Sequence, residues 1–290
     1  MSGAGGGSVT RPEHARGRVA AVSSGDARFA TLVDALGGLE SVVVAFSGGA
    51  DSALVAAAAH AALGERALAV TAVSATLPER ERTGAAATAA AIGIAHAELP
   101  LDELLSPDFV ANTAERCYHC KRLRLDGILA YARRRGYRHV LDGANADDAG
   151  DWRPGMRAGR ELGVRSPLLE AGIGKAAVRE LLRDRGLAVH DKPSSPCLAS
   201  RIPYGTPVTQ RKLRQVEEAE AVLLALGLRE VRVRHHGDVA RIEVPREDLA
   251  RVLAAGGLAE RLRAIGFAHV ALDLEGFRSG NLNRALKMES

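Results

Sequence analysis

Cysteine, aromatic residues and long apolar runs are all scarce in this chain. Three cysteines among 290 residues cannot build a disulfide framework, and an odd number argues for chemistry or metal binding instead. Aromatic residues make up only 3% and the net charge is +4. With no basic, aromatic-rich stretch, nucleic acid is not expected as a partner. No run of about eighteen apolar residues could span a membrane, and the N-terminus lacks the apolar core of a signal peptide. The expected location is the cytoplasm.

What is present suits an enzyme with real cores: 47% hydrophobic and 26% charged residues, enough for one large or two modest domains. Residues 1–26 carry Gly, Ser, Arg and Ala without periodicity and read as a disordered tail. From 27 to 205 strand and helix signals alternate. Strands are expected near 41–46, 67–74, 95–99 and 138–142, with helices near 51–63, 78–92, 120–135 and 175–185. Such alternation builds an α/β domain, a parallel sheet with helices on both faces, whose ligands sit at the carboxyl ends of the strands. Residues 206–290 read as a smaller α+β domain for substrate binding or oligomerisation: a helix over 210–226, a hairpin of strands over 229–235 and 239–244 turning at Gly237-Asp238, two short helices and a last strand over 268–274.

The most specific signal is Val42-Val43-Val44-Ala45-Phe46-Ser47-Gly48-Gly49-Ala50-Asp51-Ser52, a β-branched strand running through a glycine turn into a helix. Glycines let backbone N–H groups approach a ligand closely. Those amides, the Ser47 and Ser52 hydroxyls and the positive end of the helix dipole converge on one point, a phosphate site. No Gly-Lys-Ser/Thr follows the glycines, so this is not a Walker A loop. The pattern resembles instead the PP-loop of ATP pyrophosphatases, which hold the β- and γ-phosphates as a leaving pyrophosphate, with Asp51 helping to place magnesium.

Two further constellations accompany it. Asp142-Gly143-Ala144-Asn145-Ala146-Asp147-Asp148, followed by Asp151-Trp152-Arg153-Pro154-Gly155-Met156-Arg157, begins where a strand stops. Acids and amides there are poor core material and good ligands for hard cations or ribose. Cys117 and Cys120 flank Tyr118-His119, while Cys197 sits in a Pro- and Ser-rich loop between Lys192 and Arg201, cations that favour a thiolate. For the cysteine set three readings stand open: a structural zinc with a histidine as fourth ligand, three ligands to a four-iron, four-sulfur cluster, or one reactive sulfur with two bystanders.

Taken together, the PP-loop, Cys-Tyr-x-Cys-Lys, Asp-Gly-x-Asn-Ala-Asp-Asp with Arg-Pro-Gly, Pro-Cys-Leu-Ala-Ser-Arg and Val-Arg-Val-Arg-His-His-Gly-Asp resemble the LarE family of ATP-dependent sulfur transferases over roughly residues 27–280. The resemblance implies a step in nickel-pincer cofactor synthesis. In that step a pyridinium-3,5-biscarboxylic acid mononucleotide is adenylylated on a carboxylate, receives sulfur and releases AMP. It further implies ATP and magnesium at Ser47, Gly48, Gly49, Asp51 and Ser52, and Asn145 and Arg157 near the nucleotide. Cys197 would supply the sulfur, and Tyr118 would stack on the pyridinium ring. Ser200, Arg201, Arg232 and Arg234 would hold the substrate phosphate, with Glu220 and Glu243 orienting those arginines or contacting the substrate. In one version of the family the cysteine gives up its own sulfur and becomes dehydroalanine. The trio Cys117, Cys120 and Cys197 matches instead the members thought to carry a four-iron, four-sulfur cluster, and the resemblance favours that form. The assembly implied is a homo-oligomer, a hexamer.

Rival readings are a tRNA-thiolating PP-loop enzyme, whose RNA-binding modules are not found here, and an amidating enzyme of the NAD or GMP synthetase type, which would need no cysteine. A nucleotide-sensing module of the universal-stress type is a third, against which the intact Asp51 and both serines weigh.

Overall fold

The computed structural model describes residues 9–10, 27–150 and 154–278. The expected tail therefore lies outside the described residues except for the two-residue strand β1 (Val9–Thr10), and Asp151 to Arg153 lie outside them too. The chain divides into two compact units. The first comprises 1–74, 79–102 and 117–195, and the second comprises 75–78, 103–116 and 196–290.

In the first unit the order is β1, α1 (Ala27–Gly37), β2 (Val42–Ala45), α2 (Ala50–Leu63), β3 (Ala67–Val73), α3 (Glu79–Ile92) and β4 (Ala95–Pro100). The second unit supplies α4 (Pro107–Val110), and the first resumes with α5 (Arg116–Arg134), whose opening residue belongs to the second unit. Then come β5 (His139–Leu141), α6 (Pro154–Glu161), α7 (Pro167–Glu170) and α8 (Lys175–Asp184).

The strands lie in the order β1-β4-β3-β2-β5. β2 pairs in parallel with β3 (Val42 opposite Ala67) and with β5 (Val42 opposite His139), and β3 pairs in parallel with β4. Among the described residues of this sheet, only the β1 edge runs antiparallel. A strand buried on both sides needs apolar residues at every position, and Val42, Val43 and Val44 provide them at 0% exposure. Alternation sends Val42 and Val44 into the core under α1, α2 and α8, and Val43 into the opposite core with Leu125, Ile128 and Tyr131 of α5. Each buried valine contributes about 1.5–3 kcal/mol. α2 can lie close on this sheet because Ala53, Ala56, Ala58 and Ala59 are small and fully buried.

β2 is flanked by β3, which follows it in the chain, and on its other side by β5, which arrives much later. Parallel strands whose connections depart in opposite directions leave a crevice at their carboxyl ends, where α/β sheets bind ligands. The PP-loop leaves β2 at this point, and Asp142 leaves β5.

The second unit adds α9 (Gln210–Leu224), β6 (Arg232–His236), β7 (Val239–Glu243), α10 (Leu249–Leu253), α11 (Leu258–Ala264) and β8 (His269–Leu272). The Thr209 hydroxyl caps α9 by accepting from the Lys212 N–H at 3.3 Å. β6 and β7 form the hairpin, Arg232 opposite Glu243, turning at Gly237 with φ of 63°, and β8 joins β7 in parallel. Ala219, Leu223, Val233, Ile242, Leu262 and Phe267 fill its core.

Boundaries differ from the sequence reading in two instructive places. α5 begins at Arg116 rather than near 120, so the cysteine pair lies inside its first turns; neither Gly nor Pro separates 116 from 120 to stop it. β6 begins three residues later than the apolar pattern from 229 suggests. Among the described residues no helix is long and apolar enough to cross a membrane.

Candidate functional site

The PP-loop is held by its own hydroxyls. Ser47 N–H donates to Ser52 Oγ at 3.3 Å, the two hydroxyls meet at 3.1 Å, Gly49 N–H donates to Ser47 Oγ at 3.3 Å, and Ser52 Oγ donates to the Gly49 carbonyl at 3.1 Å. Gly48 has φ of +69°, and a Cβ there would lie 2.5 Å from Ala85 Cα of α3. Both facts require glycine. Gly143 is required by crowding alone: its Cβ would lie 2.8 Å from Ser52 N, so the β5 loop and the start of α2 touch backbone to backbone.

Below this turn sit the acids. Burial raises the Asp51 pKa first, and the negative charge of Asp148 raises it further; the Asn145 amide, Lys175 and Arg179 oppose the shift. Asn145 is fully buried. Its Nδ2 faces the Asp51 carboxylate without completing a well-formed hydrogen bond. Its Oδ1 accepts from Asp147 N–H at 3.1 Å, and its own N–H donates to Asp148 Oδ2 at 3.2 Å. Lys175 Nζ lies 3.3 Å from Asp148 Oδ1, and Asp147 caps α8 by accepting from Lys175 N–H at 2.7 Å. Two carboxylates in one half-buried pocket repel each other and fit a divalent cation. Magnesium takes one or two carboxylates and completes its shell with phosphates and water, so a single carboxylate is enough to hold it.

Asp142 is drawn aside. It accepts from Lys121 Nζ at 2.6 Å, Ser166 Oγ at 2.7 Å and Ala144 N–H at 3.1 Å, which fixes the loop that presents Asn145.

On α5 the Tyr118 hydroxyl donates to Glu161 at 2.6 Å and accepts from Arg122 at 2.8 Å. The Arg157 guanidinium lies over its ring, 4.0 Å from the centroid. Cys117 is exposed and Cys120 half-buried, one helical turn apart. Among the described residues no group of three or more His, Cys, Asp or Glu side chains is arranged to hold a metal ion. Cys117 and Cys120 offer two ligands from one helix of the first unit, and Cys197 belongs to the second unit.

In the second unit Cys197 is half-buried at the start of a single turn over Leu198–Arg201. Arg201 organises that turn. Its guanidinium, fully buried, grips Glu220 with two bonds of 2.8 and 3.0 Å and donates to the carbonyls of Pro196 (2.6 Å) and Cys197 (3.1 Å) and to Ser200 Oγ (3.0 Å). Ser200 Oγ donates to the Cys197 carbonyl at 2.7 Å. Arg234 donates to Glu243 at 3.0 and 2.7 Å and to the Ser200 carbonyl at 2.9 Å. Arg232, equally buried, donates to its neighbour's carbonyl and lies 4.9 Å from the Phe277 ring. Two layers of buried arginine therefore support the loop that carries Cys197.

Sequence reasoning missed the lysines. Lys192 precedes Cys197 by five residues in the sequence, and its ammonium donates to the Gly48 carbonyl at 3.1 Å and pairs with Glu81 at 2.8 Å. Lys121 and Lys175, which order the acidic loop, have no sequence signature beyond their charge.

A parallel sheet with a Ser-Gly-Gly-x-Asp-Ser turn at its switch point defines an α/β ATP pyrophosphatase-type domain. Residues 30–134 match the NAD synthase family. The chain is 40% identical over 259 residues to the pyridinium-3,5-bisthiocarboxylic acid mononucleotide synthase of Lactiplantibacillus plantarum, covering 89% of this chain and 94% of that protein. It is also 43% identical over 264 residues to an uncharacterised protein of Synechocystis, covering 90% and 98% of the two chains. An uncharacterised protein of Methanocaldococcus jannaschii is 30% identical over 171 residues. The chain belongs to the LarE family, that of the Lactiplantibacillus synthase, and is an ATP-using enzyme.

Proposed function

We propose that this protein converts the carboxylates of pyridinium-3,5-biscarboxylic acid mononucleotide into thiocarboxylates, with ATP split to AMP and pyrophosphate. The observation that carries this reading is the PP-loop at the switch point, in a chain whose relative of nearly equal length bears the name of that product.

A carboxylate resists nucleophiles because oxide would have to leave. Attack of its oxygen on the α-phosphorus of ATP expels pyrophosphate and turns the leaving group into AMP. Ser47, Gly48, Gly49 and Ser52 hold the departing phosphates through N–H and hydroxyl groups. Asp51 anchors magnesium, which when bound neutralises the charge on those phosphates, and Asn145 holds the Asp51 side of the pocket. Tyr118 presents an aromatic face to the cationic pyridinium ring; the planar guanidinium of Arg157 already rests over that ring. Arg157 yields this place when substrate enters and turns to the nucleotide. Ser200, Arg201, Arg232 and Arg234 recognise the substrate phosphate, Arg201 through the turn it shapes, while Glu220 and Glu243 keep the arginines in place.

The Cys197 thiolate then attacks the acyl carbon and AMP departs with the bonding pair. Removal of the Cys197 Cα proton creates the Cα–Cβ double bond, and the Cβ–S pair leaves with sulfur, yielding the thiocarboxylate and dehydroalanine. The second reading, favoured by the Cys117–Cys120 pair on one helical turn, is a four-iron, four-sulfur cluster as the sulfur carrier; no step is assigned to it. Anaerobic purification with iron and sulfide analysis, then mass spectrometry after turnover, separates the two. A loss of about the mass of hydrogen sulfide at Cys197 supports the first, and unchanged mass with stoichiometric iron overturns it. We also propose a homo-oligomer, up to the hexamer, to be measured by light scattering.

A further inference from the structure

The peptide unit that joins β2 to the glycine turn is held from behind by two buried side chains of the neighbouring strands. Phe46 N–H donates to the Val70 carbonyl at 2.9 Å, and the Phe46 carbonyl accepts from Thr71 Oγ1 of β3 at 2.9 Å. Thr71 Oγ1 in turn lies 2.8 Å from His96 Nε2 of β4. Thr71 and His96 are 2% and 5% exposed, and the His96 ring meets the Phe46 ring edge to face at 5.9 Å. Neither side chain belongs to the turn itself.

The available protons fix the direction of this chain of contacts. A threonine hydroxyl carries one proton and a carbonyl can only accept, so the Thr71 proton is committed to Phe46. His96 Nε2 must therefore carry hydrogen and donate to Thr71 Oγ1. Burial lowers the His96 pKa, with Glu98 opposing the shift, so the ring is neutral at pH 7 and its tautomer decides the contact. With the hydrogen on Nδ1 instead, Nε2 would accept from Thr71 and the Phe46 carbonyl would lose its donor. The effect reaches the turn because a trans peptide unit is planar, with the Phe46 carbonyl and the Ser47 N–H on opposite edges of one plate. Pinning the oxygen aims the Ser47 N–H, which donates to Ser52 Oγ at 3.3 Å and closes the turn.

We propose that Thr71 and His96, the latter as its Nε2–H tautomer, are positioning residues for ATP: a relay that sets the Ser47 peptide plane and with it the Ser47 and Ser52 hydroxyls that receive the phosphates. This rests on the ATP reading above, and on neither the acceptor nor the source of sulfur. Hydrogen bonds in series polarise one another, so the two residues act as one unit.

The test is titration calorimetry of the full chain with magnesium and either ATP or AMP, beside NMR of the histidine ring nitrogens, where the His96 signals are those lost in His96→Leu. Thr71→Val keeps the shape and removes the hydroxyl. It is expected to weaken ATP about fivefold or more, the size of one hydrogen bond, and to leave AMP, which lacks the leaving phosphates, within about twofold. Thr71→Ser should bind ATP within about twofold of wild type. His96→Leu should weaken ATP as Thr71→Val does, and the double variant no further, because the residues act in series. The His96 signals should show the Nε2–H tautomer. Equal weakening of ATP and AMP, failure of Thr71→Ser to restore binding, or additive losses in the double variant would mean that the pair only packs the sheet, and an Nδ1–H tautomer would contradict the relay itself; each overturns the proposal. The tautomer is read in the wild type and decides the matter even where Thr71→Val does not fold. Wild-type protein that binds no ATP would overturn the ATP reading and the proposal with it, whereas wild-type binding with Thr71→Val unaffected would overturn the proposal alone.

Discussion

Arg201 and Glu220 form a two-pronged ion pair, at 2.8 and 3.0 Å, with side chains 0% and 3% exposed. The same guanidinium holds the Pro196 and Cys197 carbonyls. Removing one partner strands a buried charge, so Arg201→Met or Glu220→Gln should destabilise the second unit by about 3–5 kcal/mol. Arg201→Lys should fail to rescue, because a point charge cannot make the forked contact. Urea denaturation measures both.

Gly48 and Gly49 look interchangeable in sequence and are not. Gly48→Ala meets both the positive φ and Ala85 at 2.5 Å, whereas at Gly49 the nearest atom is Ser47 Oγ at 3.3 Å with an ordinary φ of −87°. Gly48→Ala should cost about 1–3 kcal/mol and abolish ATP binding. Gly49→Ala should fold normally and bind ATP more weakly. Thermal melts with and without ATP distinguish them.

Asp51 should link activity and stability in opposite senses. Its folded pKa is raised above the ordinary 3.8 by burial and by Asp148. The native state therefore keeps a proton where the unfolded chain has lost it. The contribution to stability is full below the ordinary value and declines as pH rises through the folded value. Asp51→Asn should accordingly raise the ligand-free Tm at pH 7 and reduce adenylylation at least ~100-fold. In the wild type, activity should fall as the solution is acidified through the raised pKa, as the carboxylate we propose as the magnesium anchor takes up its proton. Tm and pyrophosphate release, both measured against pH, check the two signs.

Cys197→Ser should retain substrate-dependent ATP–pyrophosphate exchange and lose thiocarboxylate formation, since activation precedes sulfur transfer. Cys117→Ser, at an exposed position on α5, should leave a single turnover intact if Cys197 gives its own sulfur. Loss of that turnover would favour the cluster reading. Product analysis by mass spectrometry decides.

The sequence reveals most where the physics is local. Eleven residues from Val42 to Ser52 contain a doubly buried strand, a turn that only glycine can make and a helix start, so the phosphate site is legible without the fold. The acidic loop after β5 is legible because acids at a strand end need partners or ligands; Asp142 and Asp148, both buried, have Lys121 and Lys175. What escapes reading is contact across distance, such as Lys192 with Gly48 and Asp142 with Lys121, whereas the pairing of Arg201 with Glu220 was expected through the family resemblance alone. Surface and buried cations look alike in a sequence, and only packing tells them apart. The same holds for segments 75–78 and 103–116, which lie amid first-unit signals yet pack with the second unit; there Asn112, with φ of 54°, donates to the carbonyls of Pro203 and Thr206 at 2.7 Å each.

The most direct measurement is the stoichiometry of a single reaction: purified protein, magnesium, ATP and pyridinium-3,5-biscarboxylic acid mononucleotide, with AMP, pyrophosphate and thiocarboxylate all quantified. The account predicts one AMP and one pyrophosphate for each thiocarboxylate formed, and none of the three when the mononucleotide is omitted. ADP and phosphate as products, or AMP formation with ammonia incorporated in place of sulfur, would contradict it.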